Sequence, residues 1–173
     1  MTLAVDANPA GASGFRHEAL FYADDEEFLA GTLPFVLEGV DRREAVLVVV
    51  PEPRLTMLRD ALGAAAVHVM FTDMRLVGVN PARIIPVWQD FVDRKGAGGR
   101  AVRGVGEPIW AGRTKDEIVG CQIHESLLNV AFVGTPVVTI LCPTAVPSSA
   151  KSATADGSSI RLPDGRGSTS VDA

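Results

Sequence analysis

Short runs of aliphatic and β-branched residues alternate along this chain with longer stretches in which apolar residues recur every three or four positions. The first pattern is typical of buried strands, and the second of helices that bury one face. Strands are predicted at residues 18–22, 45–50, 67–72, 101–105 and 137–141. Helices are predicted at residues 25–40, 53–62, 81–94 and 114–131, the last opening with the capping box Thr114-Lys-Asp-Glu117.

Strands that alternate with helices predict an α/β fold in three layers. The expected sheet is mostly parallel, with five strands or slightly more, right-handed crossovers and helices on both faces. The folded domain is expected to span residues 15–143. Residues 1–14 are small and polar and are predicted to be a flexible lead-in, and residues 144–173, rich in Ser, Thr, Ala and Gly, are predicted to be disordered.

The charge of the chain and its two cysteines limit its partners and its compartment. A net charge of -5 and a pI near 5.2 argue against nucleic acid as a partner, because a polyanion would be repelled. Cys121 and Cys142 fall in predicted core elements and indicate a reduced cytoplasm. No stretch approaches the roughly 20 apolar residues that span a bilayer, and residues 1–14 do not resemble a signal peptide. A cytoplasmic protein that binds no membrane is expected.

The turn after the first strand, residues 21–28, reads Phe-Tyr-Ala-Asp-Asp-Glu-Glu-Phe. In alternating strand–helix folds this turn often cradles the phosphates of a nucleotide, with glycines, a helix N-terminus and a lysine. Here there is no glycine and no lysine, and the consecutive carboxylates would repel a phosphate. The turn therefore predicts a degenerate phosphate loop, no cofactor, and a sensing or binding role rather than an ATPase.

The carboxyl ends of the predicted strands form the edge at which open α/β sheets bind ligands. This edge combines aromatic side chains with carboxylates, as small-molecule pockets do. With two residues of the last helix added, the candidate ligand-binding residues are Phe21, Tyr22, Asp24, Glu52, Asp73, Glu107, Trp110, His124 and Glu125. Taken singly, each also has a structural explanation, since loop carboxylates are usually solvated and aromatic residues at strand ends usually cover the core.

The loop Gly106-Glu-Pro-Ile-Trp110 is the least ordinary part of this edge. Gly106 permits the close approach of backbone or of a ligand. Glu107 could accept hydrogen bonds from Arg103, from Arg113 or from a ligand. Trp110 could equally cover the core or line a pocket.

The last helix carries Cys121, His124 and Glu125. A Cys and a His three positions apart share a helix face, but only His17 and Cys142 could add ligands, and no metal site is predicted. Glu125 falls on the apolar stripe of this helix, where a carboxylate must find a partner or face a cavity. The candidate partners of Glu125 are His17, His124 and an arginine.

Several motifs of the chain resemble, in their order and spacing, the MEDS sensory domain. They are His17-Glu-Ala-Leu-Phe-Tyr22, Pro34-Phe35, Glu38-Gly39-Val40, Gly106-Glu-Pro-Ile-Trp110, His124-Glu-Ser-Leu-Leu-Asn129 and Cys142-Pro143. The resemblance covers residues 15–143 and implies a RecA/KaiC-like fold without Walker motifs. It also implies a signal-input module of bacterial regulators that senses hydrocarbon-like or other small molecules, commonly joined to a histidine-kinase-like ATPase, an anti-sigma module or a DNA-binding domain.

Three functions are compatible with the sequence. The first is a non-catalytic sensory domain that binds a small organic ligand and signals in trans to a kinase-like or anti-sigma regulatory partner, since no output domain follows residue 143. The second is a small hydrolase or transferase that uses Glu107, Glu125 and His124 as acid–base groups. The third is a protein-interaction module, with a homodimer as one form.

Overall fold

The computed structural model describes residues 2–3, 14–110, 112–132, 135 and 137–146. Most of the predicted lead-in and nearly all of the predicted tail, residues 4–13 and 147–173, therefore lie outside the described residues. Within the described part, no helix is long and apolar enough to cross a membrane.

The strands of the described residues form one sheet. They are β1 Thr2–Leu3, β2 Phe15–Tyr22, β3 Ala45–Val50, β4 Val69–Asp73, β5 Val102–Gly106 and β6 Val138–Ala145. Their order across the sheet is β1-β2-β6-β5-β3-β4. The strands β2 to β6 are all parallel, whereas β1 pairs antiparallel with β2. Every residue of β3 is buried, as its continuous aliphatic run predicts.

Helices cover both faces of this sheet, which confirms the three-layer α/β fold. They are α1 Asp25–Asp41, α2 Arg54–Leu62, α3 Met74–Val77, α4 Ile84–Lys95 and α5 Lys115–Ala131. A core cluster that contains Phe28 and Leu58 joins α1 and α2 to the sheet, and we call this side the α1/α2 face. A second cluster, which contains Trp88 and Leu128, joins α4 and α5 to the opposite side, the α4/α5 face.

Two element bounds differ from the prediction where the chain tightens into a 3-10 turn. Residues Gly63–His68 form such a turn, so β4 begins at Val69 rather than at residue 67. The side chain of Asn80 accepts a hydrogen bond from a backbone N–H of the 3-10 turn Pro81–Arg83, after which α4 begins. The single helix predicted at residues 81–94 is therefore two elements.

The parallel strands β2 and β6 are longer than predicted. β2 begins at Phe15 and β6 runs to Ala145, and the two pair in register over their full lengths. Cys142 and Pro143 consequently lie inside β6 and not at its carboxyl end. The proline is tolerated because β5 pairs only with residues 138–141 of β6, so no second strand needs the missing N–H.

Trp88 of α4 packs against the backbone of β5, where two glycines leave room for its indole. A Cβ on Gly104 would lie 2.6 Å from Cη2 of Trp88, and a Cβ on Gly106 would lie 3.0 Å from Cζ2. The close approach expected at Gly106 is therefore made by the indole of Trp88, which is 1% exposed.

Candidate functional site

A buried carboxylate lies at the carboxyl edge of the sheet, on the α1/α2 face. Glu107 directly follows β5, is fully buried, and accepts a hydrogen bond from the phenol of Tyr22, the last residue of β2. Arg54, the first residue of α2, donates from Nη1 to the same Glu107 oxygen at 3.3 Å. Because β2, β3 and β5 belong to one parallel sheet, their carboxyl ends bring these three side chains together.

Burial dominates the ionisation of this carboxylate. It raises the pKa of Glu107 to about 7, although the Tyr22 hydrogen bond and the Arg54 charge both act in the opposite direction. Burial and the adjacent Glu107 charge raise the pKa of Tyr22 well above its usual value, so the phenol stays protonated and donates. Oε2 of Glu107 is buried and has no hydrogen-bond partner among the described residues. The edge therefore holds an acid whose charge changes near neutral pH.

Arg54 connects Glu107 to the acidic turn. Its Nε donates to Asp25 at 3.2 Å, and its guanidinium carbon lies 4.8 Å from the centroid of the Tyr22 ring. The guanidinium thus combines two ion pairs with a cation–π contact. Arg54 was not predicted from the sequence, because the candidate residues after β3 ended at Glu52.

The arginines that the sequence suggested as donors to Glu107 bind elsewhere. Arg103 donates from Nε to Glu44 at 2.5 Å and from Nη1 to Glu38 at 2.9 Å. Arg113 donates to the backbone carbonyl oxygens of Pro108, directly after Glu107, and of Gly78, directly after α3. Both arginines are buried and form structural contacts of the core.

The acidic turn uses its own carboxylates to satisfy the start of α1. Asp24 caps the helix by accepting from the N–H of Glu27 at 2.9 Å, and Glu27 accepts from the N–H of Ala23 at 2.9 Å. Backbone N–H groups at a helix N-terminus are the donors that bind a phosphate in related folds. In this turn, a carboxylate of the protein itself therefore occupies a position at which a phosphate could bind.

Two more carboxylates of the predicted edge also bind groups at the starts of helices. Glu52 accepts from the N–H and the hydroxyl of Thr56 in the first turn of α2, at 3.1 and 3.0 Å. Asp73 caps the short helix α3, which the sequence did not predict, and pairs with Arg75 at 2.7 Å. The hydrogen bonds from Arg75 lower the pKa of Asp73. Both carboxylates thus form local contacts within the next helix.

The remaining aromatic candidates lie apart from Tyr22. Trp110 is half-buried against the core of the α4/α5 face, and the guanidinium of Arg113 lies 3.7 Å from its ring centroid. Phe21 is 39% exposed and points to the side of β2 opposite to Tyr22, because neighbouring residues of a strand alternate. Of the predicted edge residues, the structure brings Tyr22 and Glu107 into direct contact.

A second polar group lies on the α4/α5 face, and we call it the His17 cluster. Nε2 of His17, on β2, lies 3.0 Å from Oε2 of Glu125 on α5 and 3.1 Å from Sγ of Cys142 on β6. His17 is therefore the observed partner of Glu125 among those that the sequence suggested. The other cysteine, Cys121, donates instead to the carbonyl oxygen of Pro108 at 3.2 Å.

A cleft on the α4/α5 face, the α4–α5 cleft, separates α5 from α4 and the preceding 3-10 turn. It has a volume of about 330 Å³ and is lined by Asn80, Pro81, Ala82, Ile85, Gly120, Ile123, His124 and Leu127. His124 is 3% exposed, and burial lowers its pKa, so the imidazole is neutral. Its Nδ1 is buried and has no hydrogen-bond partner among the described residues.

The structure separates the acid–base groups that were suggested for an enzyme. Glu107 bonds to Tyr22 on the α1/α2 face, whereas Glu125 bonds to His17 on the α4/α5 face. His17 and Tyr22 are five positions apart on β2, so their side chains point to opposite sides of the sheet. His124 lies on α5 as well, beside the cleft.

The family comparison agrees with this architecture. A family model described as the methanogen/methylotroph, DcmR sensory domain (MEDS) matches residues 16–146. No curated protein and no solved structure matches the chain. The matched segment begins in β2 and ends directly after β6, and it includes Glu107, the His17 cluster and the α4–α5 cleft. Since it covers most of the chain, this protein belongs to the MEDS family of sensory domains, as the order of its motifs indicated.

Proposed function

We propose that this sensory domain binds a small, largely apolar organic molecule in the α4–α5 cleft. The observation that supports the proposal is a cleft of about 330 Å³ with a mostly apolar wall, to which His124 contributes an imidazole ring. Small-molecule pockets have volumes of roughly 300–1,000 Å³, apolar walls and a few polar groups that orient the ligand. The cleft has each of these features.

The wall of the cleft favours one chemical class of ligand. Ile85, Ile123 and Leu127 offer aliphatic surface to a hydrocarbon body. A neutral imidazole donates one hydrogen bond and accepts one, so His124 suits a single hydroxyl or carbonyl group. Among the described residues that line the cleft there is no Asp, Glu, Lys or Arg, and an ionised ligand is therefore disfavoured.

Helix α5 offers a route by which the cleft could signal to a regulatory partner of the kinase-like or anti-sigma type. Ile123 and Leu127 are 56% and 49% exposed, and with Val119 and Val130 they form an apolar stripe along the outside of α5. A ligand in the cleft covers one side of Ile123 and Leu127. Occupancy therefore alters the apolar surface that a partner in trans would contact.

Gly120→Leu should close the cleft while preserving the fold. Gly120 lines the cleft, and a Cβ there would approach only Pro81, at 3.4 Å, so a leucine side chain extends into the cleft and not into the core. Replacing a helical glycine also removes a penalty of up to about 1 kcal/mol. Saturation-transfer NMR with 1-hexanol and cyclohexanone should show binding to the wild type and an affinity at least about tenfold lower in Gly120→Leu.

Gly120→Ala is the matched control, because one methyl group leaves most of the cleft open. It should bind both probes like the wild type. Native mass spectrometry of freshly purified protein extends the test, since a small molecule that copurifies with the wild type should be missing from Gly120→Leu. Equal affinity of the wild type and Gly120→Leu for both probes would show that the ligand does not bind in this cleft.

A further inference from the structure

We propose that the His17 cluster is a binding site for one Zn²⁺ ion. An imidazole nitrogen, a carboxylate oxygen and a thiol sulfur of His17, Glu125 and Cys142 all lie within 4.8 Å of one another. Zn²⁺ binds such donors tetrahedrally at about 2.0–2.3 Å, which places neighbouring donors about 3.3–3.6 Å apart. Nε2 of His17 lies 3.0 and 3.1 Å from the other two donors, and no two donors are more than 4.8 Å apart, so side-chain rotations can bring all three to these spacings.

The three ligands are held by elements that pack rigidly on one another. In the parallel register of β2 and β6, His17 pairs with Ile140 and Cys142 pairs with Ala19. The two ligands are thus two positions apart on neighbouring strands and point to the same face. Glu125 reaches them from α5, which packs on that face. A site with ligands from paired strands and a packed helix is preorganised.

Within the described part of the chain, the hydrogen bonds of the cluster leave one buried polar atom without a partner. Oε1 of Glu125 is buried and has no partner among the described residues. Nε2 of His17 lies close to both Glu125 and Cys142. This nitrogen carries at most one proton, so it donates to only one of the two groups, and its contact with Cys142 can use the proton of the thiol. A cation between the three side chains satisfies the imidazole, the carboxylate and the sulfur together.

The donor set and its charge favour a divalent ion of intermediate softness. A thiolate and a carboxylate supply two negative charges, which Zn²⁺ neutralises, and His17 binds as a neutral imidazole. The thiol of Cys142 releases its proton to solvent as the Zn–S bond forms. Mg²⁺ and Ca²⁺ prefer oxygen ligands alone, so sulfur and imidazole disfavour them.

The site is accessible and leaves one coordination position open. The side chains of His17 and Glu125 are 13% and 25% exposed, so an ion can enter from solvent. Three protein ligands leave the fourth tetrahedral position to water, as in zinc sites that bind exogenous groups.

The test is a metal titration of the full chain after treatment with EDTA. Co²⁺ should bind at one ion per chain and give a thiolate-to-cobalt charge-transfer band in the near ultraviolet, and Zn²⁺ should displace it. Cys142→Ser should abolish the band and lower the Zn²⁺ affinity at least about 100-fold. Glu125→Gln preserves the size of the side chain and should lower the affinity at least about tenfold while the band persists.

Cys121→Ser is the matched control, because Cys121 is the other buried free cysteine and lies outside the cluster. This variant should keep both the band and the stoichiometry of the wild type. If circular dichroism shows that Cys142→Ser does not fold, the comparison of Glu125→Gln with Cys121→Ser decides the test. The proposal is overturned if the wild type gives no cobalt–thiolate band, if Cys121→Ser alone loses it, or if Glu125→Gln binds Zn²⁺ as tightly as the wild type.

Discussion

Glu107→Gln is expected to remove a pH dependence of stability that amounts to about 3 kcal/mol. In the wild type, burial raises the pKa of Glu107 from 4.5 to about 7 on folding. A carboxyl group whose pKa rises on folding stabilises the folded state fully below pH 4.5, and this contribution is lost as the pH rises through about 7. At about 1.4 kcal/mol per pH unit between these two values, the loss is about 3 kcal/mol.

Urea unfolding of the wild type and of Glu107→Gln between about pH 4 and pH 8 measures this effect. The difference in unfolding free energy, wild type minus variant, should fall by about 3 kcal/mol over this range, because the amide has no proton to lose. A difference that stays constant with pH would show that Glu107 does not titrate in this range.

Tyr22→Phe provides an independent check with the carboxyl group still in place. The hydrogen bond from Tyr22 and the positive charge of Arg54 both favour the ionised form of Glu107. Removing the phenol should therefore move the midpoint of the pH dependence upward, and Arg54→Met should move it in the same direction. A downward movement in both variants would contradict the geometry of this cluster.

The pattern of the sequence predicted the layers of the fold better than the ends of its strands. Burial on both faces produces a continuous aliphatic run, and β3 shows it clearly. β6 instead continues through Pro143 to Ala145, although proline usually ends a strand. It can do so because this part of β6 pairs only with β2, a fact that depends on strand order. Cys142, which directly follows the strand predicted at residues 137–141, therefore lies inside β6.

The carboxyl edge could be predicted in part because parallel strands end together, which placed Tyr22 and Glu107 at the same edge. Arg54 could not be recognised in this way, since an arginine in the first turn of a helix is usually solvated. Only the position of β3 next to β5 brings α2 beside Glu107. Proximity in sequence favoured Arg103 instead, but that side chain extends towards Glu38 and Glu44.

The surroundings of His124 and Glu125 show where helical periodicity is informative and where it is not. Neighbouring residues on a helix point about 100° apart, so the two side chains enter different environments. Glu125 lies on the inner, core-facing side of α5, and this position correctly indicated that its carboxylate needed a buried partner. That partner is His17. The cleft beside His124 depends on the 3-10 turn Pro81–Arg83, which has no periodic signal in the sequence.

Gly104→Ala is expected to lower the free energy of unfolding by about 3 kcal/mol. The new Cβ would lie 2.6 Å from Cη2 of Trp88 and closer still to Cζ3, well inside van der Waals contact. The indole is 1% exposed and belongs to the core cluster of the α4/α5 face, so it cannot move aside without displacing α4 from the sheet. Gly106→Ala should cost less, because its Cβ would approach Trp88 only to 3.0 Å.

Urea unfolding of a double-mutant cycle with Trp88→Phe separates this clash from a general effect of adding a methyl group to β5. In the wild-type background, Trp88→Phe leaves a cavity and should destabilise the protein. In the Gly104→Ala background, the smaller ring relieves the overlap, and the same change should recover part of the lost stability. Opposite signs of the Trp88→Phe effect in the two backgrounds would demonstrate direct contact, whereas additive losses would show that Gly104 is required for some reason other than the indole.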